Sequence, residues 1–291
     1  MTVNQLINLL AGLTLLEMMV TTGLGVSCGD VLQVNRGLVV RALVANYVLV
    51  PASAVGLLLL FNASPMVATG LLIAAVCPGA PYGPPFTAIA KGNVVASVGL
   101  MVILAGSSAI VAPLLLQFLL PLLAGSSTLK INLVRMAGTL LGVQLLPLCV
   151  GLFVRERRPA LAERLKKPAS RLSASLNLLL LAVILFVQFP ILMGIRMRGY
   201  VGMLCLLLAA LLSGWLVCWQ ASASRKGMMI TTSVRNVGVG LVIATSSFPG
   251  TAAVTAITAY GLFQTLGMAL VSLTWGRFAQ PGVLSTRATA A

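Results

Sequence analysis

The sequence predicts an all-α membrane protein with about nine transmembrane helices, arranged as two inverted repeats of four and five helices. Three observations support this fold class: 59% of the 291 residues are hydrophobic, only 8% are charged, and the hydrophobic residues come in long blocks. A soluble domain usually carries about 25% charged residues, and a helix needs about 20 apolar residues to cross a bilayer. Most of the protein surface is therefore predicted to contact its partner, the lipid bilayer.

Nine hydrophobic blocks are long enough to be predicted spans. In chain order they cover residues 5–26, 37–61, 65–90, 94–116, 132–154, 172–194, 200–222, 226–247 and 252–276. The first block is too long for the apolar core of a signal peptide and no basic residue precedes it, so it is predicted to remain as a span. The stretch 94–124 is also compatible with one span and a re-entrant tail, because Pro113 and Pro121 interrupt it.

The basic residues predict the orientation. With nine spans the termini lie on opposite sides, and 14 of the Lys and Arg residues fall on one side against four on the other. The positive-inside rule then predicts a multi-pass protein of the cell (inner or plasma) membrane, with its N-terminus outside and its C-terminus in the cytoplasm.

One transmembrane domain is predicted over residues 1–291. Its first repeat covers about 5–124 and its second repeat about 132–276, and the basic segment 155–171 is predicted to be a cytoplasmic loop. An amphipathic helix on anionic lipid is the second interpretation of that segment.

The composition excludes several classes of function. The net charge of +15 does not indicate nucleic-acid binding, because the basic residues lie in short connectors without aromatic residues for stacking. The chain has no histidine and its five cysteines are dispersed, so neither a metal site nor a cofactor is predicted. Without a nucleophile–base pair or several deep carboxylates, no catalytic residue and no enzyme are predicted. A transporter, a channel or a sensor remains, and a homo-oligomer is compatible with each.

Two predicted spans are interrupted. Residues 77–85 read CPGAPYGPP, and proline lacks an amide donor and clashes with the preceding turn. Residues 231–250 read TTSVRNVGVGLVIATSSFPG and combine hydroxyl groups with an asparagine and glycines. Interrupted helices at matching positions of two halves indicate a transport site, and their free ends suit an anion. We predict that they cross near the midplane at a site for a small organic anion; two simple kinks are the alternative.

The residues around the first interruption resemble a known family. The run CPGAPYGPPFTAIAKGNVVASVGLMVILAGSSAIVAPLL (77–115) is similar to the bile acid:sodium symporter family, whose broken helix carries CPGG-x-x-SN-x-x-T-x-x-AKGD before a helix ending in AP-L. The segments MMVTTGLGVSCGDV (18–31) and RNVGVGLVIAT (235–245) resemble two further parts of that family. The resemblance implies a secondary transporter of bile-acid-like steroids or smaller carboxylates.

The residues that the resemblance implies for sodium binding are altered in the first half of the chain. The family's Ser-Asn pair falls at Gly83 and Pro84. Of a serine and a threonine one helix later, the serine is retained as Ser97 and the threonine becomes Met101. An amide on an earlier helix falls at Asn46.

The second broken helix departs further. The family's glutamate falls at Thr231 and its glutamine at Arg235, and only the following asparagine is retained, as Asn236. Arginine is permanently charged and only donates hydrogen bonds, so sodium would be repelled. We predict that transport is not coupled to sodium through these positions and that Arg235 replaces the ion. A symporter that binds sodium elsewhere is the alternative.

Arg235 needs a partner, because a cation inside a span costs about 2.5–3.5 kcal/mol. One candidate is the carboxylate of the substrate, in a bidentate pair. The other is Glu17, the one acidic residue deep within a span, which could carry a proton or form an inert pair with Arg235. Transport is accordingly predicted to be proton-coupled or facilitative. Further polar residues predicted along the pathway are Asn46, Thr87, Thr232 and Gln264.

Overall fold

The computed structural model describes residues 3–124, 132–219 and 222–278, and these residues form helices without a strand. In chain order the helices are α1 (Val3–Leu24), α2 (Cys28–Leu32), α3 (Arg36–Val44), α4 (Val50–Leu60), α5 (Pro65–Val76), α6 (Gly83–Ile89), α7 (Val94–Ala124), α8 (Leu133–Leu140), α9 (Leu146–Arg157), α10 (Pro159–Met193), α11 (Met197–Leu216), α12 (Ser222–Ser233), α13 (Val237–Ser247) and α14 (Ala252–Phe278). Within the described chain, seven helical segments are long and apolar enough to cross a membrane. The predicted class, an all-α membrane protein, is confirmed. The count of nine spans and the repeats stay predictions, and Lys130 and Arg287 lie outside the described residues.

The first predicted interruption separates α5 from α6. Between Val76 and Gly83 the chain contains two prolines that cannot donate to a helix. Gly79 has a φ of +82°, a conformation that favours glycine. A Cβ atom on Gly79 would lie 2.3 Å from the backbone nitrogen of Ala105, so the broken chain passes directly against α7.

The second interruption separates α12 from α13. Helix α12 ends at Ser233 and α13 begins at Val237, although no proline lies between them. Asn236 caps the new helix, because its Oδ1 accepts a hydrogen bond from the backbone N–H of Val239 at 3.2 Å. The Asn236 cap therefore starts the helix after the second interruption, as proline does after the first interruption.

Two π-helical turns place amides in the interior. They cover Ala45–Leu49, between α3 and α4, and Leu141–Leu145, between α8 and α9. Each turn ends two residues before a proline. Because proline has no N–H, the carbonyl four residues earlier lacks its usual hydrogen-bond donor. The side chains of Asn46 and Gln144, one in each turn, are both fully buried.

The predicted cytoplasmic loop 155–171 is helical instead. Helix α9 ends at Arg157 and α10 begins at Pro159, so Arg158 alone lies between them. Proline suits the first helical position, where no N–H is needed, and the Ala, Leu, Glu, Arg and Lys residues that follow favour a helix. The basic side chains of this segment therefore project from helices.

The re-entrant tail that remained open for 94–124 is not found. Helix α7 is continuous over its 31 residues and contains Pro113 and Pro121. At 1.5 Å per residue it is about 46 Å long, which exceeds the thickness of a bilayer core.

The helices pack so that the interruptions face the interior. Helix α1 contacts α9, α10 and α13, while α5 contacts α7 and α14, and α12 contacts α6 and α11. One close approach joins α1 to α9: a Cβ atom on Gly151 would lie 2.3 Å from the carbonyl oxygen of Val20. Small residues allow membrane helices to approach in this way.

Candidate functional site

The two interrupted segments meet. The backbone N–H of Asn236 donates to the carbonyl of Cys77 at 2.7 Å, and its side-chain amide donates to the carbonyl of Gly79 at 3.4 Å. The hydroxyl of Tyr82 donates to the carbonyl of Arg235 at 2.9 Å. Each break thus satisfies polar backbone groups of the other, as broken helices inside a membrane protein require.

The guanidinium of Arg235 lies in the interior and is 1% exposed. Its Nη1 and Nη2 both donate to Oδ1 of Asn46, at 2.9 and 2.7 Å, and Nη1 also donates to the carbonyl of Thr232 at 3.2 Å. Its Nε has no hydrogen-bond partner. The acceptors of this buried cation are therefore neutral oxygen atoms.

Gln264, on α14, holds the backbone of Arg235 in place. Its Oε1 accepts from the Arg235 N–H at 3.1 Å, and its Nε2 donates to the Arg235 carbonyl at 2.8 Å and to the Tyr82 hydroxyl at 3.3 Å. The amide nitrogen of Asn46 donates to the carbonyl of Ala42 at 2.8 Å and to the Thr232 hydroxyl at 3.4 Å. The guanidinium therefore has a single fixed direction, toward the π-helical turn of Asn46.

Glu17 does not pair with Arg235, so the interpretation of an inert ion pair between them is wrong. The carboxylate of Glu17 accepts from the hydroxyl of Thr21 at 2.6 Å and from the hydroxyl of Ser173. Because α1 packs against α10 at this level, Glu17 finds its partners on those two helices.

Three buried hydroxyl groups form a second cluster, which we call the hydroxyl cluster. The Ser97 hydroxyl lies 3.0 Å from that of Thr87 and 2.8 Å from that of Thr231, and Thr87 also donates to the carbonyl of Gly83 at 3.1 Å. The neighbouring Pro84 is buried and adds no polar side chain. The cluster links α6, α7 and α12.

A cavity of about 360 Å³ lies between α1, α6, α10, α13 and α14. Most of its wall is apolar. Its polar lining residues are Thr14, Tyr82, Asn177, Asn236, Thr258 and Thr265. A largely apolar cavity with a few polar groups is typical of a small-molecule site.

Of the residues predicted along the pathway, only Asn236 lines this cavity. Arg235, Asn46 and the hydroxyl cluster are not among its lining residues. Sequence reasoning missed Tyr82 and Thr14. Tyr82 is the aromatic residue within CPGAPYGPP, which was a usable signal, whereas Thr14 is one hydroxyl among several in an apolar helix.

Comparison with known protein families identifies a match over part of the chain. A family model described as the Sodium Bile acid symporter family matches residues 12–195, which is more than half of the chain. Among curated proteins, none matches the sequence significantly.

Proposed function

Because the chain belongs to the sodium bile acid symporter family, whose members transport organic anions or related solutes across membranes, we propose that it carries a small organic monoanion without sodium coupling. The observation that carries this proposal is the buried guanidinium of Arg235, which holds the amide oxygen of Asn46 with both of its terminal nitrogens. The protein is accordingly proposed to be a transporter and not an enzyme.

The cavity offers a place for one carboxylate. Val237 and Gly238, in the first turn of α13, line it, and the positive end of a helix dipole attracts an anion there. Thr14, across the cavity on α1, is 2% exposed, and its buried hydroxyl oxygen has no hydrogen-bond partner. A buried donor without a hydrogen bond is energetically unfavourable. A carboxylate oxygen of the substrate would accept a hydrogen bond from this hydroxyl.

The rest of the cavity selects an apolar body. Leu15, Leu178, Leu241 and Leu262 are among its walls, and no Lys or Arg side chain of the described residues lines it. A second negative charge would therefore be buried without a cation, which is strongly unfavourable. The substrate that fits best carries one negative charge on a compact, mostly apolar skeleton.

Two features argue against a bound sodium ion. A second cation 4 Å from the guanidinium of Arg235 would be repelled by about 4 kcal/mol at an effective dielectric constant of about 20. In the hydroxyl cluster, Thr87, Ser97 and Thr231 are already hydrogen-bonded to one another, and no carboxylate belongs to the cluster. The fixed charge of Arg235 stands in for the ion.

The driving force is proposed to be either the gradient of the anion itself or a proton carried by Glu17. Glu17 is adjacent to Met18, which lines the cavity, and its partner Ser173 is adjacent to Ala174, which also lines it. A carboxylate in that place could exchange a proton with the cavity.

Uptake into reconstituted vesicles tests the proposal. The probes are radiolabelled acetate, 2-oxoisovalerate, pantoate and taurocholate, each measured with sodium and with sodium replaced by choline. We expect saturable uptake of at least one probe that is equal in the two salts. We expect Arg235→Gln to lower it at least about tenfold, equivalent to about 1.4 kcal/mol, and Arg196→Gln, a matched change at an exposed connector residue, to leave it unchanged.

The outcomes separate the alternatives. Uptake that requires sodium would show a symporter with ion sites elsewhere, and equal uptake by Arg235→Gln would remove that residue from the mechanism. An inward proton gradient should accelerate uptake if Glu17 carries a proton, and Glu17→Gln should then abolish the acceleration. Facilitative transport predicts no response to the gradient in either protein.

A further inference from the structure

The residues that line the cavity differ in exposure. Thr14, Leu241 and Thr258 are 2–3% exposed, whereas Phe86 is half-buried and Ala174 is exposed. We take the part of the cavity beside Phe86 and Ala174 as its open end. Because Ala174 lies near the start of the apolar part of α10, the open end faces the side of the basic segment 155–171.

Helix α10 connects that open end to the basic segment without a break. Arg164, Lys167 and Arg171 precede Ala174 and Leu178 at alternating spacings of three and four residues. Residues with this spacing lie along one face of a helix. The face of α10 that lines the cavity therefore continues as a row of three cations, which we call the cationic stripe.

The stripe is close enough to act on an anion at the cavity. Arg171 lies three residues before Ala174 and Lys167 seven residues before it, about 4.5 and 10.5 Å along the helix axis. The Debye length is about 10 Å at 0.1 M salt. At this salt Arg171 is thus within one Debye length of the opening and Lys167 lies at about one Debye length, and all three charges are within it at lower salt.

The hydrogen-bond partners of the acidic residues lie outside the stripe, although the pKa of Glu163 is lowered by the hydrogen bond from Arg155 and by nearby cations that include Lys167. Glu17 accepts from Thr21 and Ser173. The remaining contacts are Asp30 with Ser27, Glu156 with the backbone N–H of Cys28, and Glu163 with Arg155 at 2.8 Å. In α10, Lys167 and Arg171 are exposed to solvent on the face that leads to the cavity.

We propose that Arg164, Lys167 and Arg171 capture the anionic substrate electrostatically and guide it along α10 into the open end of the cavity. This inference rests on the proposed function and adds to it the route of entry. Clustered charges of one sign raise the association rate of an oppositely charged ligand by about 10 to 10³. The stripe has a role beyond membrane orientation, for which any cytoplasmic Lys or Arg would serve equally.

Binding in an uncharged detergent tests the route, since both sides are then accessible and charged lipids are absent. The tightest-binding of the four anionic probes is titrated by scintillation proximity, from about 0.01 M to 1 M KCl, over which the Debye length falls from about 30 Å to about 3 Å. The test variant is the double substitution Lys167→Gln and Arg171→Gln. The matched control, Arg158→Gln with Lys166→Gln, removes the same charge off the stripe.

We expect the test variant to weaken binding about tenfold at low salt and to match the unaltered protein at high salt. The control should weaken binding less than the test variant at low salt, because Arg158 is farther from the opening and Lys166 points off the stripe, and it should match the unaltered protein at high salt. Equal salt dependence in the two double variants would overturn the cationic stripe while leaving the transport proposal intact. Absence of binding by any probe to the unaltered protein would instead count against the proposed function. Equal binding of all proteins at high salt shows that the variants are folded.

Discussion

At the scale of single residues, the molecule depends on how one buried cation is satisfied. Placing a guanidinium inside a span costs about 2.5–3.5 kcal/mol. Arg235 makes two hydrogen bonds to Oδ1 of Asn46, and a hydrogen bond to a charged group contributes about 1.5–3 kcal/mol. The two bonds are therefore sufficient to offset the insertion cost without a carboxylate.

Replacing Asn46 tests this account. Asn46→Ala removes the acceptor of both bonds and leaves a buried charge with the Thr232 carbonyl alone, so we expect the free energy of unfolding to fall by at least about 3 kcal/mol. Asn46→Asp keeps an oxygen in the same place and adds an opposite charge, so it should be at least as stable as the unaltered protein. Thermal unfolding in detergent measures both. Equal stability of Asn46→Ala would contradict the role assigned to the amide.

The sequence predicted which residues are important more successfully than it predicted their partners. Arg235 and Asn236 stood out because charged and amide groups are rare inside spans. The pairing of Arg235 with Glu17 was wrong because sequence position does not determine the direction of a long side chain. The contact with Asn46 depends on a π-helical turn that joins two distant helices, and no local pattern encodes that meeting.

At the scale of helices, the two interruptions were predictable to different degrees. The proline-rich run 77–85 forces a break by the chemistry of proline alone. The break between Ser233 and Val237 has no proline, and it was indicated only by its polar composition and by its position matching the first. The helical state of 155–171 was only the second interpretation, because a high density of charge was taken for a loop, although those residue types favour helices.

The contact between α1 and α9 depends on glycine. A Cβ atom on Gly151 would lie 2.3 Å from the Val20 carbonyl, whereas one on Gly138 in α8, within the same predicted span, would meet no atom within 4 Å. We expect Gly151→Ala to lower the free energy of unfolding by about 1–3 kcal/mol. Gly138→Ala should raise it by up to about 1 kcal/mol, because alanine favours helices. Thermal unfolding of the two variants measures the difference in their stability. Similar stabilities would mean that α1 and α9 can move apart at no cost in free energy.

At the scale of the whole molecule, the cavity lies where two groups of helices meet. Helices α1 and α10 form one wall, and the other wall contains α6, α13 and α14, which carry the interrupted segments and Gln264. The interrupted segments are bonded to each other, so they are expected to move as one unit. Movement of that unit against α1 and α10 would expose the cavity to the other side. The amino-acid composition predicted the membrane class of the protein. It could not predict the cavity, because the cavity depends on packing between helices that are distant in the sequence.

The predicted orientation can be tested with a native cysteine. Cys28 is exposed at the start of α2, shortly after α1, on the side predicted to be cytoplasmic. In a variant with the other four cysteines replaced by alanine, a membrane-impermeant maleimide should label Cys28 in inverted vesicles and not in intact cells. With Cys28→Ser and Arg198→Cys on the opposite side, the labelling should reverse. Labelling of Cys28 in intact cells would overturn the orientation inferred from the charge bias.

The same thiol gives a prediction on pH. Burial and the Glu156 carboxylate raise the pKa of the Cys28 thiol, so less of the reactive thiolate is present near neutral pH than in an ordinary cysteine. Labelling in inverted vesicles should therefore accelerate as the pH rises above neutrality. Glu156→Gln removes the nearby negative charge and lowers the pKa, so it should increase the rate near pH 7 and shift the pH dependence downward. An unchanged pH profile would show that Glu156 does not act on this thiol, and would leave the orientation result unaffected.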